Sequence, residues 1–440
     1  MLKMKSSLSV VLVMSLLLSS FFVWSFSLQK VYAAGNPITI KVAFMAGYLP
    51  EAKGGVKWGE QIFKKFEDEN PDIKIQLIAV PLSGGGSGWN EYFTKIQTMA
   101  AAGNAPDVFH VAIEGIQAMV KLGLARPLDD YLDKHPAEKE EAIKDIHPNL
   151  LKPFIIKGKL YSLVHDWNNV VMHFNMKLLK QAGLGVPPSN WTLKMFLDYC
   201  KKLTNPAKGQ YAFTIPNYYF GFSAWLINND TNFLTPDMKG VIFDSPKTIE
   251  VLQLMHDLVH KYKYAPVPQP NVDSILQLVE GKIAMGCWGR WPTTTYVNNN
   301  FKDVAIQLLP KLKTQKVIFG SGGGVVYSGT KNYEQAAKVA VWMASPYFMK
   351  NFYGVGNIPT RKSVADEVIP ALGIPKNYQL YYKSADIAVP VQSPPAYSEI
   401  ASIFDRYMSG ILSGEMKPED AAKKAAAEMR DALAKNPTEF

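Results

Sequence analysis

Cysteine is almost absent: Cys200 and Cys287 are the only two in 440 residues. A chain this poor in thiols cannot rest on a disulfide framework or on a four-cysteine zinc site. Long basic runs are missing as well. The formal charge is +9, from 47 basic and 38 acidic residues, and Lys3, Lys5 and Lys30 supply three of those charges. Lysine is interleaved with acid in "EAKGGVKWGEQIFKKFEDEN" and "DKHPAEKEEAIKD", and no five-residue basic block occurs, which argues against a nucleic-acid partner. Catalytic signatures are equally scarce. There is no G-x-S-x-G elbow, and "GVVYSGTK" (Gly324–Lys331) carries Thr330-Lys331 in the reverse of the order a phosphate loop requires. His256 and His260 share a helix face as zinc ligands can. Asp257, however, stands where a metalloprotease has glutamate, and both histidines flank an apolar stripe, so a solvated helix edge and no metal are expected. No motif calls for a cofactor.

What is present begins with an export signal. Lys3 and Lys5 precede an apolar run from Leu8 to Phe26, and Val31-Tyr32-Ala33 offers small residues to a signal peptidase, so residues 1–33 read as a signal peptide cleaved after Ala33. An uncleaved anchor is the alternative, because the run nears membrane-spanning length. No cysteine lies beside the cleavage site, so lipid attachment is not evident. The mature chain is expected outside the cytoplasm, periplasmic or at the cell surface. In that oxidising setting Cys200 still belongs to the helical stripe Leu193, Phe196, Leu197, Cys200, Leu203, and two free, buried thiols are expected.

The remaining residues, 48% hydrophobic over the whole chain, suffice for two cores. "ITIKVAF" alternates as a strand does, Trp58, Ile62, Phe63 and Phe66 mark one helical face, and "NPDIKIQLIAVPL", "YFTKIQTMAAAG" and "PDVFHVAI" continue strand, helix, strand. The same grammar recurs from Leu160 to Ala284, where Ser245 and Pro246 open a helix as cap and first residue. This alternation predicts an α/β fold of two units with mainly parallel sheets.

The segment "LYSLVHDWNNVVMHFNMKLLKQAGLGVPPSNWTLKMFLDYCKKLT" resembles the hallmark of family 1 extracellular solute-binding proteins, the sugar-capturing subunits of ABC importers. The matching residues are Phe174-Asn175-Met176, Ala182-Gly183-Leu184, Pro187-Pro188 and Trp191-Thr192, in the family's order. The chain departs from the pattern at Ser162-Leu163-Val164, where a proline is missing, and at Met176, where lysine is usual. "AAGNAPDVFHV", "LGLARPLDDYL", "GKIAMGCWGRW" and "IPTRKSV" extend the likeness along the chain. The resemblance implies two Rossmann-like lobes of the type II periplasmic-binding-protein fold, a hinge crossed more than once, and a ligand gripped in the cleft. On this reading residues 34–165 plus 311–346 form one lobe and 166–310 plus 347–440 the other. The expected partners are a carbohydrate and the permease subunits of an importer, for a monomeric, non-enzymatic protein.

The strand-end loops, where ligands of such folds bind, are rich in aromatic and amide groups, which suit the C–H faces and hydroxyls of sugars. By resemblance, Trp291 in "GKIAMGCWGRWP" is the stacking platform. Trp288, three residues earlier, faces the other way in a continuing strand, but Gly289 and Pro292 permit a bend that turns both rings into the cleft; the opposing reading makes both core. Asp166, Trp167 and Asn168 follow a strand and are candidates for sugar hydroxyls, against a solvated hinge turn. Glu114 is a candidate acceptor, against a helix-start carboxylate. Trp89 and Asn90 are placed on a rim, Trp225 resembles a cleft aromatic, and Gly322 and Gly323 can present backbone N–H groups. An oligosaccharide is favoured. A monosaccharide, an acidic sugar met by Arg290 and nearby lysines, and a non-sugar solute stay open, and a secreted glycoside hydrolase is the rival reading, since its two carboxylates can lie far apart in sequence.

Overall fold

The computed structural model describes residues 36–50, 53–82, 88–270 and 272–438. The expected signal peptide, residues 1–33, lies outside the described residues. Apolar alternation produces the first strands as expected: β1 (Ile38–Met45), β2 (Ile73–Val80) and β3 (Val108–Ala112). A short β4 (Ala125–Arg126) and a hairpin of β5 (Ile155–Ile156) and β6 (Lys159–Leu160) follow. Next come β7 (Val164–Asn169), β8 (Val171–Asn175), β9 (Tyr211–Phe213), β10 (Ile283–Trp288) and β11 (Val304–Gln307). The long β12 (Val317–Tyr327) and the brief β13 (Ile358–Pro359) and β14 (Ala388–Pro390) complete the set.

Two sheets result. The first has the order β13-β7-β12-β3-β1-β2, with β4 and β14 also on β12; the second runs β11-β8-β10-β9. Neither is mainly parallel, contrary to the alternation rule. β1 is parallel to β2 and β3, but β12 is antiparallel to both β3 and β7, and β8 is antiparallel to β10 and β11. The reason is where these strands come from. β12 and β8 do not arrive over a crossover helix of their own sheet but directly from the other one, so they enter from the opposite end.

That passage happens three times. Val170 alone separates β7 in the first sheet from β8 in the second, residues 308–316 lead from β11 back to β12, and after β14 the chain leaves for the helix Tyr397–Ser413. This helix packs with Pro418–Lys435 and with Pro246–His260, the helix that Ser245 caps on the Thr248 N–H. The expected boundaries therefore shift. Residues 166–169 are part of β7 and pair with β12, and residues 347–390 contribute β13 and β14 to the first sheet, with the helix Pro346–Tyr353 packed on Gly55–Glu69. Local pattern could not place them, because sheet membership is a long-range choice.

Helical stripes behave as read. Gly55–Glu69 buries Ile62, Phe63 and Phe66, leaving Trp58 partly exposed, and Leu193–Leu203 buries Phe196, Cys200 and Leu203. Both cysteines are free and buried, and Cys287 Sγ lies 3.9 Å from Met172 Sδ. Burial pushes both thiols up, Cys287 to about 12, which leaves them protonated and unreactive.

Candidate ligand-binding cleft

A cavity of about 670 Å³ opens beyond the carboxyl ends of β1 and β3, where elements of both sheets meet. Tyr48 reaches it from the turn after β1, Glu114 from the first turn of the helix Ile113–Lys121, and Asp166 and Asn168 from one face of β7. Facing them are Tyr218, Tyr219 and Phe220 at the start of the helix Tyr219–Asn228, and Trp288 and Trp291 around the end of β10. Trp89 closes one side, with its ring centre 6.0 Å from that of Tyr48.

Asp166 anchors the polar floor. It is 4% exposed, and its Oδ1 lies 3.2 Å from His110 Nε2 and 3.3 Å from His165 Nδ1, while Oδ2 accepts from Asn357 Nδ2. Burial by itself raises this carboxyl, but the two imidazoles outweigh it and hold Asp166 at about 2. His165 is pushed by burial down to about 4, so it stays neutral at physiological pH. Asn357 also donates to Tyr48 Oη at 3.1 Å and accepts from Asn168 Nδ2 at 3.0 Å; Asn168 Oδ1 in turn accepts the Arg290 backbone N–H at 2.8 Å. One hydrogen-bonded chain thus ties β7 to the segment after β10. Among the described residues, His110, His165 and Asp166 are the one group whose donor atoms converge as metal ligands could, within 4.8 Å of one another. As they stand, the two histidines clamp the carboxylate.

Glycine makes that clamp possible. β12 runs between β3 and β7, and a Cβ at Gly322 would lie 2.6 Å from His110 Nε2 and 3.0 Å from Asp166 Oδ1. A bare backbone lets the two side chains meet across the strand. At Gly323 a Cβ would lie 2.2 Å from Ser162 Oγ and 2.7 Å from the Leu163 carbonyl. Gly322 borders the cavity, but Gly323, expected to present its N–H to ligand, is buried away from it.

Glu114 is unlike its neighbour. It is 6% exposed, its Oε2 has no hydrogen-bond partner, and burial, opposed by its own backbone N–H and reinforced by Asp166, pushes it up to about 7.

Of the residues singled out in the sequence, Trp291, Trp288, Asp166, Asn168, Glu114, Trp89 and Gly322 line the cavity. Trp291 is half-buried beside Phe220, with ring centres 6.3 Å apart; Trp288 is 4% exposed and packs edge-on to His173. The bend at Gly289 is what brings both to the same side, since β10 ends at Trp288 and a helix starts at Pro292. Four candidates do other work. Trp225 is fully buried against Phe196 and Phe213, and Trp167, on the opposite face of β7 from Asp166, packs on Tyr382. Asn90 lies beside the rim with Nδ2 3.4 Å from the Ser398 carbonyl. Arg290 is fully buried and holds the loop after Pro346–Tyr353: Nη1 donates to the Asn357 carbonyl and lies 3.5 Å from that of Tyr353, and Nη2 donates to that of Gly354 at 2.9 Å. A guanidinium spent on backbone carbonyls is not offered to an acidic sugar. Sequence reading missed Tyr48, the Tyr218-Tyr219-Phe220 run, Tyr353 and Asn357. Only the aromatic run, just ahead of Trp225, carried a local signal.

A wide crevice between two α/β units, walled by rings from both and floored by fixed polar groups, has the form of a ligand-binding site. The chain belongs to the family of bacterial extracellular solute-binding proteins, which residues 61–395 match. It is 25% identical over 406 residues to a binding protein of Brucella abortus (strain 2308), covering 86% of this chain and 89% of that one. A maltotriose-binding protein of Pyrococcus abyssi is 23% identical over 325 residues, 70% of this chain and 65% of the relative. In structure the chain is similar to an ABC substrate-binding protein of Listeria monocytogenes solved in complex with cycloalternan, with a TM-score of 0.80 at 23% identity, over 91% of this chain and all of that one. The fold is that of the type II periplasmic binding proteins.

Proposed function

We propose that this protein captures a carbohydrate, an oligosaccharide in the first instance, by closing two lobes on it, and hands it to the permease of an ABC importer outside the cytoplasm. The observation that carries this reading is the cavity wall, with aromatic faces on both sides of a hydrogen-bonded polar floor. Sugar rings present C–H faces to such walls and hydroxyls to such floors. The relatives named for maltotriose and solved with cycloalternan support it. The lobes are taken as residues 36–169 plus 317–390 and 170–316 plus 391–438, joined by the three crossings. Hydrolysis is the weaker reading, because both oxygens of Asp166 are held by protein groups and one cleft carboxylate is left for a reaction that needs two. Among the described residues no helix is long and apolar enough to cross a membrane.

Calorimetry with α- and β-linked glucose oligosaccharides tests the reading. Trp291→Ala removes a stacking face and is expected to weaken binding by about 1–3 kcal/mol while leaving the melting temperature in place. Normal affinity in a destabilised variant would assign Trp291 to packing. Closure is expected to appear as a smaller radius of gyration in solution scattering at saturating ligand; an unchanged radius counts against a hinge.

A further inference from the structure

We infer that the ligand carries a protonated amine, so that the solute is an amino-bearing carbohydrate gripped between the Glu114 carboxylate and the aromatic wall opposite. This rests on the carbohydrate reading above and adds the ligand's charge to it. Three charged side chains line the described cavity: Lys53, Glu114 and Asp166. Asp166 is committed to His110, His165 and Asn357. Lys53 sits at the mouth with its Nζ 4.7 Å from the Trp58 ring centre, and Arg290 lies behind the wall on backbone carbonyls.

Of these three, Glu114 is the one left with an open acceptor. Its Oε2 is unpartnered although the side chain is more than nine-tenths buried, and it borders the cavity. Leaving such an oxygen desolvated is unfavourable unless something that enters the cavity satisfies it. Gly320 shows what stands across from it: a Cβ there would lie 3.6 Å from Glu114 Oε1 and 3.6 Å from the Phe220 ring. Carboxylate and ring, borne by two different helices, flank one point, and Tyr219, Trp291 and Tyr397 also line the cavity. An ammonium satisfies both sides at once, donating to the carboxylate and facing π-electrons. A uronate would enter beside two carboxylates, with Lys53 at the mouth as the lining cation among the described residues.

Protonation follows from the same geometry. The elements packed on the helix of Glu114 carry His110 on β3, Arg126 on β4, Lys152, Tyr327 on β12, Glu91, Tyr92 and Lys95 on Gly88–Ala101, and Tyr397, Glu399, Asp405, Arg406 and Tyr407 on Tyr397–Ser413. None of these shifts it as Asp166 does, and burial exceeds that; Tyr48 and Tyr219 beside it are themselves pushed up and stay neutral. Burial thus pushes Glu114 up to about 7. An ammonium needs the ionised form, so affinity for an amine ligand rises with pH through that value for as long as the amine itself keeps its proton, and binding below it releases a proton.

The test is calorimetry with amino, hydroxyl and uronate members of the α- and β-1,4-linked glucose series, between about pH 5 and pH 8. The amino member is expected to bind about tenfold tighter than its hydroxyl isostere, with the gap widening as pH rises and closing again where the amine loses its proton. In Glu114→Gln, checked for folding by its melting curve, the gap collapses because the amino member loses most. A hydroxyl or uronate member that binds as tightly as the amino one, or a preference that survives in Glu114→Gln, overturns the inference and leaves the carbohydrate reading standing. If no member of either series binds, the carbohydrate reading falls and the inference with it.

Discussion

Trp225→Ala is expected to lower stability by about 3–5 kcal/mol, the cost of a large buried ring and the cavity left in its place. The site leaves little room for collapse. Trp225 is fully buried in the helix Tyr219–Asn228, with ring centres 5.4 Å from Phe196 and 5.7 Å from Phe213, so it joins the helix, β9 and the Leu193–Leu203 helix in one core. Thermal unfolding should register the loss in full, and ligand affinity measured well below the new midpoint should stay close to that of the parent. A Trp225→Ala protein that melts normally but binds poorly would return this residue to the cleft, where its sequence context had placed it.

Arg290→Ala is expected to cost about as much, some 3–5 kcal/mol, for a different reason. Its guanidinium supplies hydrogen bonds to the carbonyls of Gly354 and Asn357 and approaches that of Tyr353, all inside the protein. Truncation strands those acceptors where water does not replace the donors. Burial already pulls this arginine down to about 10, so the fold retains the charge at a cost, and the carbonyl geometry is what offsets it. Affinity should fall together with stability, because Tyr353 and Asn357 line the cavity and Asn357 is the donor to Asp166. Arg290→Lys is expected to rescue little, since one ammonium cannot span the spread of the planar fork. Wild-type melting in Arg290→Ala would show that the loop is held by its other contacts.

Much of the fold was legible because its signals are local. The alternation of β1, the stripe Ile62, Phe63, Phe66 and the Ser245-Pro246 helix start each express a period or a cap that a few residues define. Half of the cleft was legible for a related reason. Glu114, Asp166 and Trp291 lie in or just beyond strands, where an α/β chain exposes its ligand-facing groups. Asn357 gave no such sign. It sits in a loop 309 positions from Tyr48 and 191 from Asp166, and its importance lies in such long-range contacts. Asp166, Trp167 and Asn168 were read together as a segment following a strand; they lie inside β7, whose alternation turns Trp167 away from the face that carries Asp166 and Asn168.

By itself the sequence determined the α/β class, the sparing use of thiols, the resemblance to solute-binding proteins and a cleft supplied with rings and carboxylates. Periodicity, caps and composition act over a turn of helix or a few residues of strand, and they survive in a linear reading. The tertiary structure alone decided that β12 runs antiparallel between β3 and β7, that residues 347–390 join the first sheet, and that Arg290 and Trp225 support the wall while Trp291 forms it. These are choices between contacts distant in the chain, 64 residues for Arg290 with Gly354 and more than a hundred for β12 with β7. What settles them is which arrangement buries the most apolar surface with every buried polar group paired, a sum over the whole chain that no local segment contains.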